Sequence, residues 1–191
     1  MTGIPTSLDR QRVTSVYTYV KERVNESSVT SVWSYVKERM PTVEIANLAD
    51  VVRVHGAERS DAVALHVGDD SITFAQLDER SSRAAQAFKA AGVGFGDRVA
   101  FIEKNGAQYF DVLFGLAKLG AVCVAVNWRL APPEMLQIIA DSHAQVVVVG
   151  SEFFRQIEAI EDKLTRVHTV VAVGEHDRWP EFTDWIAAHP S

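Results

Sequence analysis

The sequence predicts an α/β fold, a mostly parallel sheet with helices on both faces, preceded by a short helical amino-terminal extension. Two observations carry this. From residue 43 onward, short apolar runs alternate with longer segments whose apolar residues recur every three to four positions, the order expected of alternating strands and helices. Four of the runs, "RVAFIE" (98–103), "AVCVAV" (121–126), "AQVVVVG" (144–150) and "HTVVAVG" (168–174), are apolar nearly throughout instead of alternating. Strands read that way when both of their faces are covered, as in parallel sheets. Crossovers between them are expected to be right-handed, while the strand order does not follow from the pattern.

The extension spans residues 1–42 and the α/β part residues 43–191. Within the extension, "VTSVYTYVKERV" (13–24) is nearly repeated as "VTSVWSYVKERM" (29–40). Apolar side chains fall at helical spacing in each copy: Val13, Val16, Tyr17, Val20 and Val24, then Val29, Val32, Trp33, Val36 and Met40. At about 100° per residue, the offset from Val13 to Val29 would put the two stripes of one continuous helix on nearly opposite faces. "NESS" separates the copies, with Ser28 a candidate N-cap, and Pro41 closes the second. Two short amphipathic helices, turned against each other or against the α/β part, are expected. Lys21, Arg23, Lys37 and Arg39 would suit a membrane surface or a docking partner. Each basic pair also flanks a glutamate, however, so a membrane role is not indicated and a packed duplication is favoured.

The remaining elements follow in order. "IANLADVVRVHG" (45–56) reads as a helix ending at Gly56. "AVALHV" (62–67) and "SITF" (71–74) flank "GDD" and suggest a hairpin with Asp69 and Asp70 in its turn. Thr73 and Gln76 make a capping-box pattern opening a helix over 74–92, with Gly92 where a C-cap glycine belongs. After the strand at 98–103 come a helix (107–120), the strand at 121–126, and a helix over 132–142 whose prolines occupy its first turn. The strand at 144–150, a helix over 151–164, the strand at 168–174 and a helix over 180–189 complete the chain.

Charge and cysteine usage narrow the function classes. A net charge of −6 without any basic block argues against a nucleic-acid partner. The single cysteine, Cys123, lies inside an apolar run and reads as a small buried hydrophobe, since no cationic neighbour is present to activate it. A chain of 191 residues builds a core without disulfide or metal staples. "MTGIPTSLDRQR" lacks the apolar centre of a signal peptide, and no run approaches membrane-spanning length, so a cytoplasmic location is expected. His55, His66, His143, His168, His176 and His189 are scattered without metal-ligand spacing, and no metal is expected. Glu175-His176-Asp177 reads as a solvated turn, and Asp78-Glu79-Arg80 as a helix surface.

"SITFAQLDERSSRAA", "GVGFGDRVAFIEKNGAQYF", "GLAKLGAVCVAVNWRLAPPEM" and "DSHAQVVVVG" follow one another with the order and spacing of the amino-terminal part of the AMP-forming acyl-CoA synthetases, within the superfamily of adenylating enzymes. The resemblance runs from about Asn47 to the end. It rests on Thr73, Phe74 and Leu77; on the Gly-Asp-Arg-Val-Ala step at Gly96 and on Asn105; on Lys118, Gly120, Ala121, Asn127, Arg129, Leu130 and Glu134; and on Asp141 and Ser142. Gln76 stands where glutamate is usual, and Ala125 where proline is common. Among the branches, the motifs look closest to the fatty-acid ligases.

The resemblance implies an enzyme that joins a carboxylic acid to ATP as an acyl-adenylate and passes the acyl group to coenzyme A. ATP, Mg²⁺ and coenzyme A are therefore implied for the full-length family, with a fatty or other carboxylic acid as substrate. The family's phosphate-binding Ser/Thr/Gly-rich loop, its Tyr-Gly-x-Thr-Glu segment, its ribose-binding Asp and its carboxyl-terminal lysine have no counterpart here. No catalytic or cofactor-binding residue is assigned, and the chain alone is expected to be inactive. "GVGFGD" follows a helix and precedes a strand, the reverse of a phosphate-binding context, so Gly92, Gly94 and Gly96 read as turn residues. Asn127, Trp128 and Arg129 end the strand at 121–126 and are the candidate substrate-binding residues, because ligands of parallel sheets gather at the carboxyl edge. Against that stand a turn cap for Asn127, packing for Trp128, and an ion pair from Arg129 to Glu134 or Asp141. The leading expectation is an amino-terminal fragment of a fatty-acid–CoA ligase, alone or completed by a complementary chain. The alternatives are a non-catalytic α/β binding or regulatory module and a small nucleotide-binding protein of flavodoxin-like type. A fragment is also expected to expose apolar surface and to self-associate.

Overall fold

The computed structural model describes residues 45–191, and the helical extension read over 1–42 lies outside them. The first element, α1 (Leu48–Glu58), opens with a capping box in which Asn47 accepts the Asp50 N–H and the Asp50 carboxylate accepts the Asn47 N–H. The helix runs through Gly56 instead of ending there. A Cβ at that position would sit 3.1 Å from the Cβ of Asp78, so the glycine permits a close helix approach. The expected hairpin forms from β1 (Val63–Val67) and β2 (Asp70–Thr73), turning at Gly68, whose φ is +60°. Thr73 and Gln76 then cap α2 (Phe74–Ala90) reciprocally, and Gly92 adopts φ +86° just past its end.

The remaining strands, β3 (Arg98–Ile102), β4 (Val122–Ala125), β5 (Val146–Gly150) and β6 (Thr169–Val173), form one parallel sheet in the order β4-β3-β5-β6. The crossovers are α3 (Ala107–Leu119), α4 (Pro132–Ser142) and a tighter segment centred on α5 (Phe154–Glu158); α6 (Phe182–Ala187) ends the fold. Side chains alternate across the sheet. Ala100, Ile102, Val147 and Val149 face Met135 and Ile139 of α4 and Ile157 of α5. Val99, Phe101, Val146 and Val148 face Phe88 of α2, Leu116 of α3 and Phe182 of α6. Central strands β3 and β5 are buried on both faces, as their sequences require. Strand β4 is an edge, and its Val122 is 47% exposed despite an equally apolar sequence.

Three further sequence expectations change at this level. The helix read over 151–164 breaks into a 3₁₀ turn (Ser151–Phe153), α5 and a second 3₁₀ turn (Glu161–Lys163). Its apolar residues Phe153, Ile157, Ile160 and Leu164 remain buried together, while backbone bonds three residues apart replace the helical ladder. The helix read over 180–189 starts only at Phe182, because the Pro180 carbonyl takes the Ala172 N–H and Glu181 is drawn alongside β6. Asp78 and Arg80 do not belong to a free surface. Arg80 clasps the fully buried Asp111 of α3 at 2.6 Å, and Lys118 of α3 reaches Asp78 at 2.7 Å. Between these two pairs, Gly115 lets the helices touch, since a Cβ there would lie 3.1 Å from the Ser81 carbonyl.

Cys123 lies on β4, and burial pushes its thiol up to about 11. Because the thiolate is the nucleophile, a thiol–disulfide reagent at about pH 8 should label native Cys123 on the order of 100-fold more slowly than the urea-unfolded chain. Equal rates would show that the thiol is not held in apolar surroundings.

Candidate functional site

A parallel sheet brings the carboxyl ends of all its strands to one edge. Here the chain leaves β3 to build β4 on one side, then returns to build β5 on the other. The first crossover helix, α3, packs on one face of the sheet and the second, α4, on the opposite face. That reversal between β3 and β5 is the switch point at which open α/β sheets present a ligand crevice. Glu103 and Lys104 just past β3, Trp128 past β4, and Gly150 and Glu152 at the end of β5 meet there.

Each of the three candidate residues has a definite place. Asn127 Oδ1 accepts the Arg129 N–H at 3.0 Å, and the Asn127 carbonyl accepts the Leu130 N–H at 3.1 Å. Its side chain thus closes the turn that leaves β4. Trp128 packs against the Phe153 ring, centroids 5.6 Å apart, at the end of the core facing α4. The Arg129 guanidinium stacks on Trp128, its Cζ 4.1 Å from the ring centroid, and Lys104 Nζ lies 5.6 Å from the same ring.

The expected ion pair from Arg129 to Glu134 or Asp141 does not form. Glu134 spends its carboxylate on the Ala131 N–H, 2.9 Å away, capping α4. Among the described residues Arg129 has no carboxylate partner. Among the described residues it is an unpaired cation on an aromatic shelf at the carboxyl edge of the sheet.

Four further residues belong to this edge. Glu103 folds over Gly150, where any Cβ would overlap its carboxylate, and accepts the Lys104 N–H at 2.6 Å. Lys104 Nζ pairs with Glu152 at 2.6 Å, an exposed contact contributing less than about 1 kcal/mol. Their signal in the sequence is their place at the carboxyl ends of "RVAFIE" and "VVVVG". Knowing that β3 and β5 are neighbours is what joins them.

The other sequence candidates lie elsewhere. Gly92 and Gly96 take positive φ, and Gly94 donates its N–H to Asp97 Oδ2 at 2.8 Å, so "GVGFGD" is a tight turn at the amino edge. His176 is not in a solvated turn. Its ring stacks on Trp179 at 3.8 Å, its Nδ1 accepts the Arg178 and Trp179 N–H groups, and its Nε2 meets Glu158 at 3.2 Å. Glu175 and Asp177 beside it are exposed. Among the described residues no three His, Cys, Asp or Glu side chains converge to hold a metal ion, and no helix is long and apolar enough to cross a membrane.

Residues 52–189 match the family model described as AMP-binding enzyme. The chain belongs to the AMP-binding enzyme family. Within it, the chain is 35% identical over 146 residues to the fatty acid–[acyl-carrier-protein] ligase ScoC of Streptomyces coeruleorubidus, covering 76% of this chain and 27% of that protein. The fold superposes with a TM-score of 0.72 on the anthranilate CoA ligase AuaEII in complex with anthranoyl-AMP, at 33% identity over 75% of this chain and 28% of the other. It also matches the N-terminal domain of FACL13 from Mycobacterium tuberculosis, with a TM-score of 0.68 and 27% identity over 76% of this chain and 37% of that domain. This AMP-binding family chain therefore spans about a quarter of the length of the curated relatives it matches, and its α/β architecture is that of the amino-terminal domain of CoA ligases.

Proposed function

We propose that this chain supplies the amino-terminal part of an ATP-dependent acid–thiol ligase acting on a fatty or other carboxylic acid, and that it does not adenylate its substrate alone. The family match over 52–189 carries the reading. In such a ligase a carboxylate oxygen attacks the α-phosphorus of ATP, and pyrophosphate departs with the bonding electron pair. A thiolate then attacks the acyl carbon and AMP leaves. Charge on the phosphates must be balanced by fixed cations and N–H donors. The described residues offer one unpaired cation at the ligand edge, Arg129 on Trp128, and no loop that cradles a triphosphate.

The role assigned to this chain is accordingly to fix the first sheet and to present Arg129 and Trp128 to a phosphate group of ATP or coenzyme A. ATP–pyrophosphate exchange with a panel of fatty and aromatic acids tests the first part. The chain alone should give background exchange, and a second chain carrying the remaining family motifs should restore it. Exchange by the chain alone would overturn the proposal. For the second part, titration with coenzyme A followed by tryptophan fluorescence should show weak binding that Arg129→Ala reduces about tenfold, the value of one hydrogen bond to a charged group. An unchanged affinity would remove Arg129 from the site.

A further inference from the structure

We propose that a small cavity at the amino edge of the sheet binds a compact carboxylate, an aryl or short alkyl acid. The cavity is a half-open hollow of about 140 Å³ between the end of α4 and the segment leading into β6. Ala144 and Val167 place it beside the amino ends of β5 and β6, whereas Arg129 follows the carboxyl end of β4. The site is therefore separate from the candidate residues at the carboxyl edge and independent of the ligase reading.

Its walls have two chemistries. Ile139, Ala144 and Leu164 are almost fully buried and form an apolar floor. His143, Lys163 and Arg166 stand exposed on the rim, and none of them forms an ion pair among the described residues. His143 is held there by its left-handed backbone, φ +57°, at the C-cap of α4. A helix carboxyl end ordinarily repels anions. Here two of the last four carbonyls are engaged, Ala140 by the His143 N–H at 3.0 Å and Ile139 by the Ala144 N–H at 3.3 Å. Lys163 and Arg166 beside an apolar floor select a ligand with one anionic end and one apolar end. The volume limits the covered part of the ligand to about one ring, since about 150 Å³ of apolar space takes one benzene. Inorganic phosphate would leave the floor wet, and a neutral alcohol would leave the rim unpaired.

The test is an amide chemical-shift titration of the isotopically labelled full chain with benzoate, benzyl alcohol and inorganic phosphate. Benzoate should shift the His143, Thr165 and Arg166 amides saturably, with benzyl alcohol and phosphate each at least about tenfold weaker. The double variant Lys163→Ser, Arg166→Ser should weaken benzoate about tenfold or more while the rest of its spectrum stays that of the native fold. Equal binding of benzyl alcohol or of phosphate, benzoate shifts clustered at Arg129 instead, no saturable shift, or an unchanged affinity in the variant would each overturn the proposal.

Discussion

Replacing Arg80 with methionine should destabilise the fold by about 3 kcal/mol near neutral pH, toward the lower end of the roughly 3–5 kcal/mol seen when one partner of a buried ion pair is removed. The lower end applies because the Arg80 side chain is 37% exposed, whereas Asp111 is wholly buried. The loss comes from the carboxylate left behind. Burial pushes the Asp111 carboxyl above its ordinary value of 3.8, and the hydrogen bonds and charge of Arg80 oppose that rise. A group raised on folding contributes most below its unfolded value and loses that contribution as pH rises through its folded value. Without Arg80 nothing opposes burial, and the loss with rising pH becomes steeper. Urea unfolding of both proteins between about pH 4 and pH 7 should therefore show a stability gap that widens with pH. A gap that is constant or narrows would mean that Asp111 is solvated or neutral throughout.

Phe88→Ala should cost about 3–5 kcal/mol, the range for a buried aromatic truncated in a packed core. Phe88 is wholly buried on α2, stacks edge-on against Trp185 of α6 at 5.2 Å, and joins the α2, α3 and α6 side of the sheet. Domain stabilities are commonly 5–15 kcal/mol, so the variant should unfold at a much lower urea concentration with an unchanged denaturant slope. Phe88→Leu, which keeps most of the volume, should recover the greater part. If Phe88→Ala unfolds within about 1 kcal/mol of the native chain, the aromatic contact is not part of the folded core.

The parts of the fold legible in the sequence are those decided locally or by burial. β3 and β5 announce themselves because both faces are covered, and the caps at Thr73–Gln76 and the turn at Asn127 because their partners lie two or three residues away. β4 carries the same apolar pattern yet forms an edge, so pattern alone does not report position in a sheet. What escaped the sequence depends on distant partners. Arg80 and Asp111, like Lys104 and Glu152, meet only once the crossovers are placed, and Glu134 was free to pair with Arg129 until the start of α4 claimed it. The candidate site was half visible for the same reason: the exit of β4 was readable, and its neighbours at the exits of β3 and β5 were not.

The two margins of the sheet are chemically unequal. Along β6 the Pro180 carbonyl already occupies the Ala172 N–H, and proline itself has no N–H to offer a newcomer. Along β4, Val122, Cys123, Val124 and Ala125 carry no proline or lysine, and among the described residues no strand pairs with their outer row of main-chain groups. Among the described residues, lateral growth of this sheet is thus directional: any further strand meets a receptive ladder at β4 and an obstructed one at β6.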